Sequence, residues 1–330
     1  MEAMVLKELT NLKENATPLE LEEVPDPIPE AGEILVRVSV CGVCHTELDE
    51  IEGRTPPPEL PVILGHQVVG RVEENGASAD RFEIGDRVGV AWIYSADETC
   101  KFCRAGTENL CPNFQATGRD VDGGYAEYMT VPEDFAHAIP PELSDTDAAP
   151  MLCAGAIGYR SLRLTGLQDG RRLGLTGFGA SGHLVLKMAT HEFPNSDVFV
   201  FARNPRERAF ARELGAVWAG DTEEEAPDKL DAIIDTTPAW KPVVEALKNL
   251  APGGRLDYLL KLDYPTHLWM EKEIKSVSNV ARKDVREFLA LAAEMEIKPE
   301  VEEFVLEEAN QALMELRTSK IRGAKVLRID

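Results

Sequence analysis

Positive charge is scarce in this 330-residue chain: Lys and Arg number 35 against 58 Asp and Glu, a formal net charge of −23. That surplus of negative charge repels phosphate backbones and excludes nucleic-acid binding beyond a small local pocket. Long apolar runs are missing too, and no stretch is apolar enough to span a bilayer. The opening residues M-E-A-M-V-L-K-E-L lack the basic region, apolar segment and cleavage site of a secretory leader, so a cytoplasmic location is expected. Internal repeats and low-complexity linkers are absent as well. What remains is the make-up of a soluble globular protein, 44% apolar and long enough for two domains with cores of their own. The acidity reads as a solvation feature, carried by runs such as Glu223 to Glu225.

Six cysteines are present, and three of them fall in one short lobe where Asp97 to Cys111 read D-x2-C-x2-C-x7-C. Structural zinc takes four tetrahedral ligands, and two residues between ligands let one tight turn aim both side chains at the same point. Cys100, Cys103 and Cys111 meet that rule. Asp97 completes the set with an oxygen that carries the same single charge as a thiolate. The bland alternative is a loop with three free thiols and a solvated aspartate; two-residue spacing in a reducing compartment favours metal.

Cys44 in V-C-G-V-C-H-T-E, His66 in L-G-H-Q and Cys153 in A-P-M-L-C-A-G lie in three widely separated segments. Two thiolates and a neutral imidazole cancel the charge of a zinc ion and leave its fourth position open for a substrate oxygen. Taken singly, Cys153 also suits buried filler and His66 an ordinary turn residue. Downstream, the apolar run Leu173 to Thr176 precedes G-F-G-A-S-G at 177 to 182 and a helix-like run through Met188. Strand, glycine turn and helix stand in the order of a dinucleotide site: Gly177 for the turn, Gly179 for close approach of pyrophosphate, Gly182 for helix packing, with Ala180 and Ser181 between them. The strand-like Val198 to Phe201 follows.

About 20 residues past the glycines, where an acidic side chain binds the ribose of NAD, the chain reads F-A-R-N-P-R. Ala202 cannot bind that hydroxyl, whereas Arg203 and Arg206 can pair with a 2'-phosphate. NADP(H) is therefore expected ahead of NAD(H), with solvated helix-start arginines as the alternative. Residues before about 150 are rich in short β-like runs, Ile34 to Val40 and Val62 to Val72 among them. After 155, strands alternate with helices, which implies a parallel sheet. The strand-like segments there are Leu173 to Thr176, Val198 to Phe201, Ala232 to Asp235, Arg255 to Leu260 and Ile274 to Ser278, with helical runs near 205 to 214 and 239 to 250.

With G-D-R-V-G-V-A-W at 85 to 92, D-G-G-Y-A-E-Y at 122 to 128 and A-R-E-L-G-A at 211 to 216, the chain resembles the zinc-containing alcohol dehydrogenases of the medium-chain dehydrogenase/reductase superfamily. Within them it is most similar to the cinnamyl-alcohol and propanol-preferring branch. The resemblance runs nearly end to end. It implies an α/β chain with a GroES-like β domain over 1–154, carrying the structural-zinc lobe 95–113. A Rossmann domain with a doubly wound parallel sheet follows over 155–281, and 282–330 returns to the first domain. It further implies two zinc ions per subunit, a cleft between the domains, a homodimer or homotetramer, and hydride exchange between a primary alcohol or aldehyde and NADP(H) or NAD(H), with zinc polarising the substrate oxygen.

Residue by residue, the resemblance assigns Cys44, His66 and Cys153 to the catalytic zinc and Thr46 to the proton relay. Asp49 stands at the relay's usual histidine, and Glu47 replaces the aspartate that orients the zinc-bound imidazole. His45 and Arg322 fall on pyrophosphate contacts, and Trp92 falls on a substrate-pocket position. Gln67 departs from the usual G-H-E, which implies a stronger electrophile with slower ligand exchange. The segment Asp257 to Met270 is a few residues short where backbone normally meets nicotinamide and subunits pair. The alternative function is a catalytically impaired NAD(P)-binding zinc protein of the same fold.

Overall fold

The computed structural model describes residues 1–237, 239–257, 271–318 and 323–329. The chain divides into two units, Met1–Ala156 with Asn279–Asp330, and Ile157–Ser278.

The first unit is built around the strand Glu33–Val43, whose sequence EILVRVSVCGV alternates apolar residues with Arg37 and Ser39. It pairs antiparallel with Val68–Asn75, Tyr128–Pro132 and Ala324–Arg328. The sheet runs Ala136–Ala138, Arg87–Val90, Val68–Asn75, Glu33–Val43, Ala324–Arg328, Val301–Val305, with Tyr128–Pro132 added beside the long strand. Ile34, Val36, Val68, Val88, Val90, Tyr125 and Leu327 fill its core, each aliphatic burial stabilising by roughly 1.5–3 kcal/mol. A smaller sheet joins Leu19–Glu23, Glu2–Leu6 and Val62–Ile63.

The β-like run expected over Val62 to Val72 is two strands, Val62–Ile63 and Val68–Asn75. Gly65 breaks it: its φ is +97°, and a Cβ there would lie 2.4 Å from the Tyr125 ring. The break places His66 on a loop instead of in a ladder.

In the second unit a six-stranded parallel sheet runs Trp218–Gly220, Val198–Phe201, Leu173–Thr176, Leu230–Asp235, Leu250–Asp257, Glu273–Ile274. Its central strands LGLT and VFVF are buried at every residue, the pattern of a sheet covered on both faces. Helices Ala180–Glu192, Pro205–Glu213 and Trp240–Asn249 alternate with these strands, which is the doubly wound arrangement. The strand expected to begin at Arg255 begins at Leu250, and its expected end at Leu260 lies outside the described residues. Among the described residues no helix is long and apolar enough to cross a membrane.

Candidate functional site

Cys44 is the N-cap of the helix His45–Ile51, and its backbone N–H donates to Glu47 Oε2 at 2.7 Å. The carboxylate that closes this first turn also reaches His66: Glu47 Oε1 lies 2.7 Å from Nδ1, in a contact where both side chains are buried. Both ring nitrogens of His66 are buried without a hydrogen bond of good geometry among the described residues, and Nδ1 is the one that meets the carboxylate. Cys153 arrives on a single π-helical turn, Met151–Gly155, of the kind that is frequent at functional sites. Gly155 lets this turn pack closely, since a Cβ there would lie 2.1 Å from the Phe288 ring.

The ligand atoms of Cys44, His66 and Cys153 all lie within 4.8 Å of one another. Thiolates about 2.3 Å from a tetrahedral zinc stand about 3.8 Å apart, so the donor set fits that ion. Its electrostatics agree. A hydrogen bond from Cys153, with help from the imidazole, holds the Cys44 thiol well below its usual pKa. The same bond and burial push Cys153 up. Burial is the largest influence and opposes a charged imidazole, but Glu47 and Cys44 together outweigh it and raise the His66 pKa.

Around this set, Thr46 Oγ1 lies 3.6 Å from Cys44 Sγ. Gln67 is buried, with its side chain laid against the bare Cα of Gly42, where a Cβ would come within 2.8 Å of it. Asp49 faces outward and accepts from Arg54 Nε at 2.6 Å. His45 is exposed. Trp92 packs at a tilt against Phe114, with ring centroids 5.1 Å apart, and the Arg119 guanidinium lies 5.5 Å over its ring. Glu50, on the same short helix, is fully buried with neither oxygen hydrogen-bonded among the described residues; burial and then Glu47 push its pKa to about 9.

Asp97, Cys100, Cys103 and Cys111 form a second cluster, again within 4.8 Å. Asp97 Oδ1 accepts from the backbone N–H groups of Cys100 at 2.8 Å and Thr99 at 2.9 Å, and Oδ2 accepts from Asn113 at 3.1 Å. These bonds, Cys100 first, hold its pKa below the usual carboxylate range, so it offers a charged oxygen. Buried Glu108 binds this lobe to Arg282 at the start of the helix Arg282–Glu294.

In the second unit, Gly177 takes φ +80°. A Cβ on Gly182 would come within 2.6 Å of the Gly177 carbonyl oxygen, whereas one on Gly179 would meet nothing within 4 Å. Gly179 caps the helix Ala180–Glu192, whose first turn holds no acidic residue and no side-chain cap. First-turn N–H groups with no side-chain cap among the described residues, beside open space, fit a phosphate. Beyond the next strand, Arg203 and Arg206 are exposed, and Asn204 caps the following helix. Arg208 Nη1 ties the Ala202 and Arg203 carbonyls to Asp221. Arg322 and most of the segment Asp257 to Met270 lie outside the described residues.

The sequence reading missed Glu50, Glu108, Arg208 and Asp235. A strand-end acid before two threonines was the one available signal, for Asp235; the others depend on contacts that no local pattern announces.

The model of the alcohol dehydrogenase GroES-like domain matches residues 30–141. The chain is 43% identical over 324 residues to a probable alcohol dehydrogenase AdhA of Mycobacterium tuberculosis (strain CDC 1551 / Oshkosh), covering 94% of this chain and 93% of that protein. An alcohol dehydrogenase of Geobacillus stearothermophilus is 35% identical over 326 residues, covering 94% and 96%. Among solved structures, a cinnamyl alcohol dehydrogenase from Sorghum bicolor superposes with a TM-score of 0.89 at 27% identity, covering 99% of this chain and 97% of its own. The chain therefore belongs to the zinc-type alcohol dehydrogenases of the medium-chain dehydrogenase/reductase superfamily.

Proposed function

We propose that this alcohol dehydrogenase exchanges hydride between a primary alcohol or aldehyde and a nicotinamide dinucleotide, using zinc held by Cys44, His66 and Cys153 and a cofactor held by the turn from Gly177 to Gly182. NADP(H) is preferred over NAD(H). The observation that carries this reading is the meeting of one imidazole and two thiols, from three separate segments, within 4.8 Å.

Zinc in that position supplies a Lewis acid for the substrate oxygen, and the nicotinamide ring supplies the hydride acceptor or donor. Glu47 fixes the imidazole through its 2.7 Å contact with Nδ1 and leaves Nε2 for the metal. Thr46 Oγ1 holds the substrate proton. Asp49 stands at the exit position of that relay, with Arg54 at 2.6 Å holding its carboxylate in place. Gln67 adds no charge to the buried surroundings, and Trp92 lines the apolar side of the substrate. A second zinc, at Asp97, Cys100, Cys103 and Cys111, is structural.

Preference for NADP(H) rests on Ala202, which offers the ribose no acceptor, and on exposed Arg203 and Arg206 just after it. Pyrophosphate contacts fall to the helix start at Ala180 and Ser181, with His45 and Arg322 as further bases. Free thiol ligands suit a reducing cytoplasm, and the enzyme works there as a homodimer or homotetramer.

Metal content, light scattering and initial rates over a panel of alcohols and aldehydes with both cofactors test the reading together. Two zinc ions per chain and a higher kcat/KM with NADP(H) support it, and Arg203→Ser then narrows the preference. Cofactor binding without turnover on any member of the panel favours a catalytically impaired relative instead.

A further inference from the structure

Asp235 ends the strand Leu230–Asp235, and Thr176 ends its neighbour Leu173–Thr176. The strand that follows Leu173–Thr176 in the unit's parallel order, Val198–Phe201, pairs on the other flank. Chain order therefore reverses between Thr176 and Asp235, and sheets of this kind bind ligands in the crevice outside the carboxyl ends of the strands at such a reversal.

Hydroxyl groups orient the Asp235 carboxyl there. Oδ1 accepts from Thr176 Oγ1 and from Thr237 Oγ1, the latter at 2.9 Å, while Thr236 Oγ1 donates to the Thr176 carbonyl at 3.0 Å. The other oxygen, Oδ2, is buried and has no hydrogen-bond partner among the described residues. Burial raises the carboxyl pKa to about 6, so at neutral pH it is mostly ionised with one oxygen unsatisfied. A buried acceptor left unmatched is costly, and a ligand donor removes that cost.

Strand order indicates which half of a dinucleotide supplies the donor. The adenosine half lies toward Val198–Phe201 and Arg203, and the pyrophosphate over the turn from Gly177 to Gly182. The remaining half extends across the opposite flank, where Asp235 stands. We propose that Asp235 is a cofactor-binding residue whose Oδ2 accepts a hydrogen bond from a hydroxyl of the ribose on the nicotinamide side. The assignment rests on the nucleotide-binding reading of the previous section.

Calorimetric titration of the full-length protein with ADP and with ADP-ribose tests it. In Asp235→Asn the amide oxygen stays with the two threonine hydroxyls, which puts an N–H2 donor where Oδ2 stood and removes the charge. The dissociation constant for ADP-ribose rises about 10-fold or more, as expected for loss of a charge-assisted bond, and that for ADP, which lacks this ribose, changes less than twofold. Thr237→Val, which removes one orienting hydroxyl and keeps the carboxylate, gives an intermediate loss for ADP-ribose alone. Equal losses for both ligands indicate a collapsed turn and overturn the assignment, as does an unchanged ADP-ribose affinity in Asp235→Asn. Wild-type protein that binds neither ligand overturns the nucleotide reading itself, and this assignment with it.

Discussion

Glu108 Oε1 accepts two hydrogen bonds from Arg282, one from the backbone N–H at 2.7 Å and one from Nε at 3.1 Å. One buried carboxylate thus caps the helix Arg282–Glu294 and pairs with the guanidinium of its first residue. Glu108→Ala leaves both donors without that acceptor and lowers stability by ~2–4 kcal/mol. Urea unfolding followed by far-ultraviolet circular dichroism measures the loss, and a midpoint equal to wild type refutes it.

The aspartate in the cysteine lobe is open to direct comparison with a thiol. Asp97→Cys slows release of one of two bound zinc ions to a chromogenic chelator, because thiolate binds this ion more strongly than a carboxylate already occupied by Cys100, Thr99 and Asn113. Asp97→Ala speeds the same release. Identical release traces for both variants exclude Asp97 from the metal.

Two glycines of one turn separate binding from folding. A methyl group on Gly179 meets no protein atom within 4 Å, so Gly179→Ala unfolds near the wild-type temperature and still loses dinucleotide affinity by about 10-fold or more through crowding of the phosphates. Gly182→Ala presses on the Gly177 carbonyl and lowers both quantities. Paired thermal unfolding and cofactor titration distinguish these outcomes.

His137 is buried, its Nδ1 without a hydrogen-bond partner among the described residues. Burial, then Arg286, Arg81 and Arg282, push its pKa down to about 3. The folded value lies below the unfolded one of about 6.5, so the unfolded chain takes up the proton first. Stability from the neutral ring is fully present above pH 6.5 and is lost as pH falls toward 3, by about 1.4 kcal/mol for each pH unit. His137→Gln removes this contribution, and urea midpoints between pH 4 and 7 then fall less steeply than in wild type. Parallel slopes refute the assignment.

Strands made of a continuous apolar run were legible in advance. Leu173–Thr176 and Val198–Phe201 stand where their apolar runs put them, because a strand buried on both faces needs little beyond local composition. The meeting of the thiols and imidazole at 44, 66 and 153 was legible for another reason: few residue types bind metal, so their identity carries information across long separations. Contacts between ordinary charged residues carry none. Glu108 and Arg282 are 174 positions apart, and neither residue type announces the other. Asp49 illustrates the same limit, since the resemblance implies its place in the relay but nothing in the sequence announces its engagement by Arg54. Gly65 shows how one backbone angle outranks β propensity, interrupting a run that Val62, Ile63, Val68 and Val69 otherwise favour.

Strand Ala324–Arg328 lies beside Glu33–Val43 in the first unit's sheet, while the second unit is one unbroken stretch, Ile157–Ser278. During synthesis the parallel sheet is available as a whole before the first unit has all of its strands. Tyr128–Pro132 pairs early with residues 33–37 of Glu33–Val43, but until residues 279–330 emerge the stretch 40–43 of that strand presents an unpaired edge. Such an edge is a template for association with other chains, so the nascent protein is most exposed to aggregation in that interval, and a chaperone that shields strand edges has its use there.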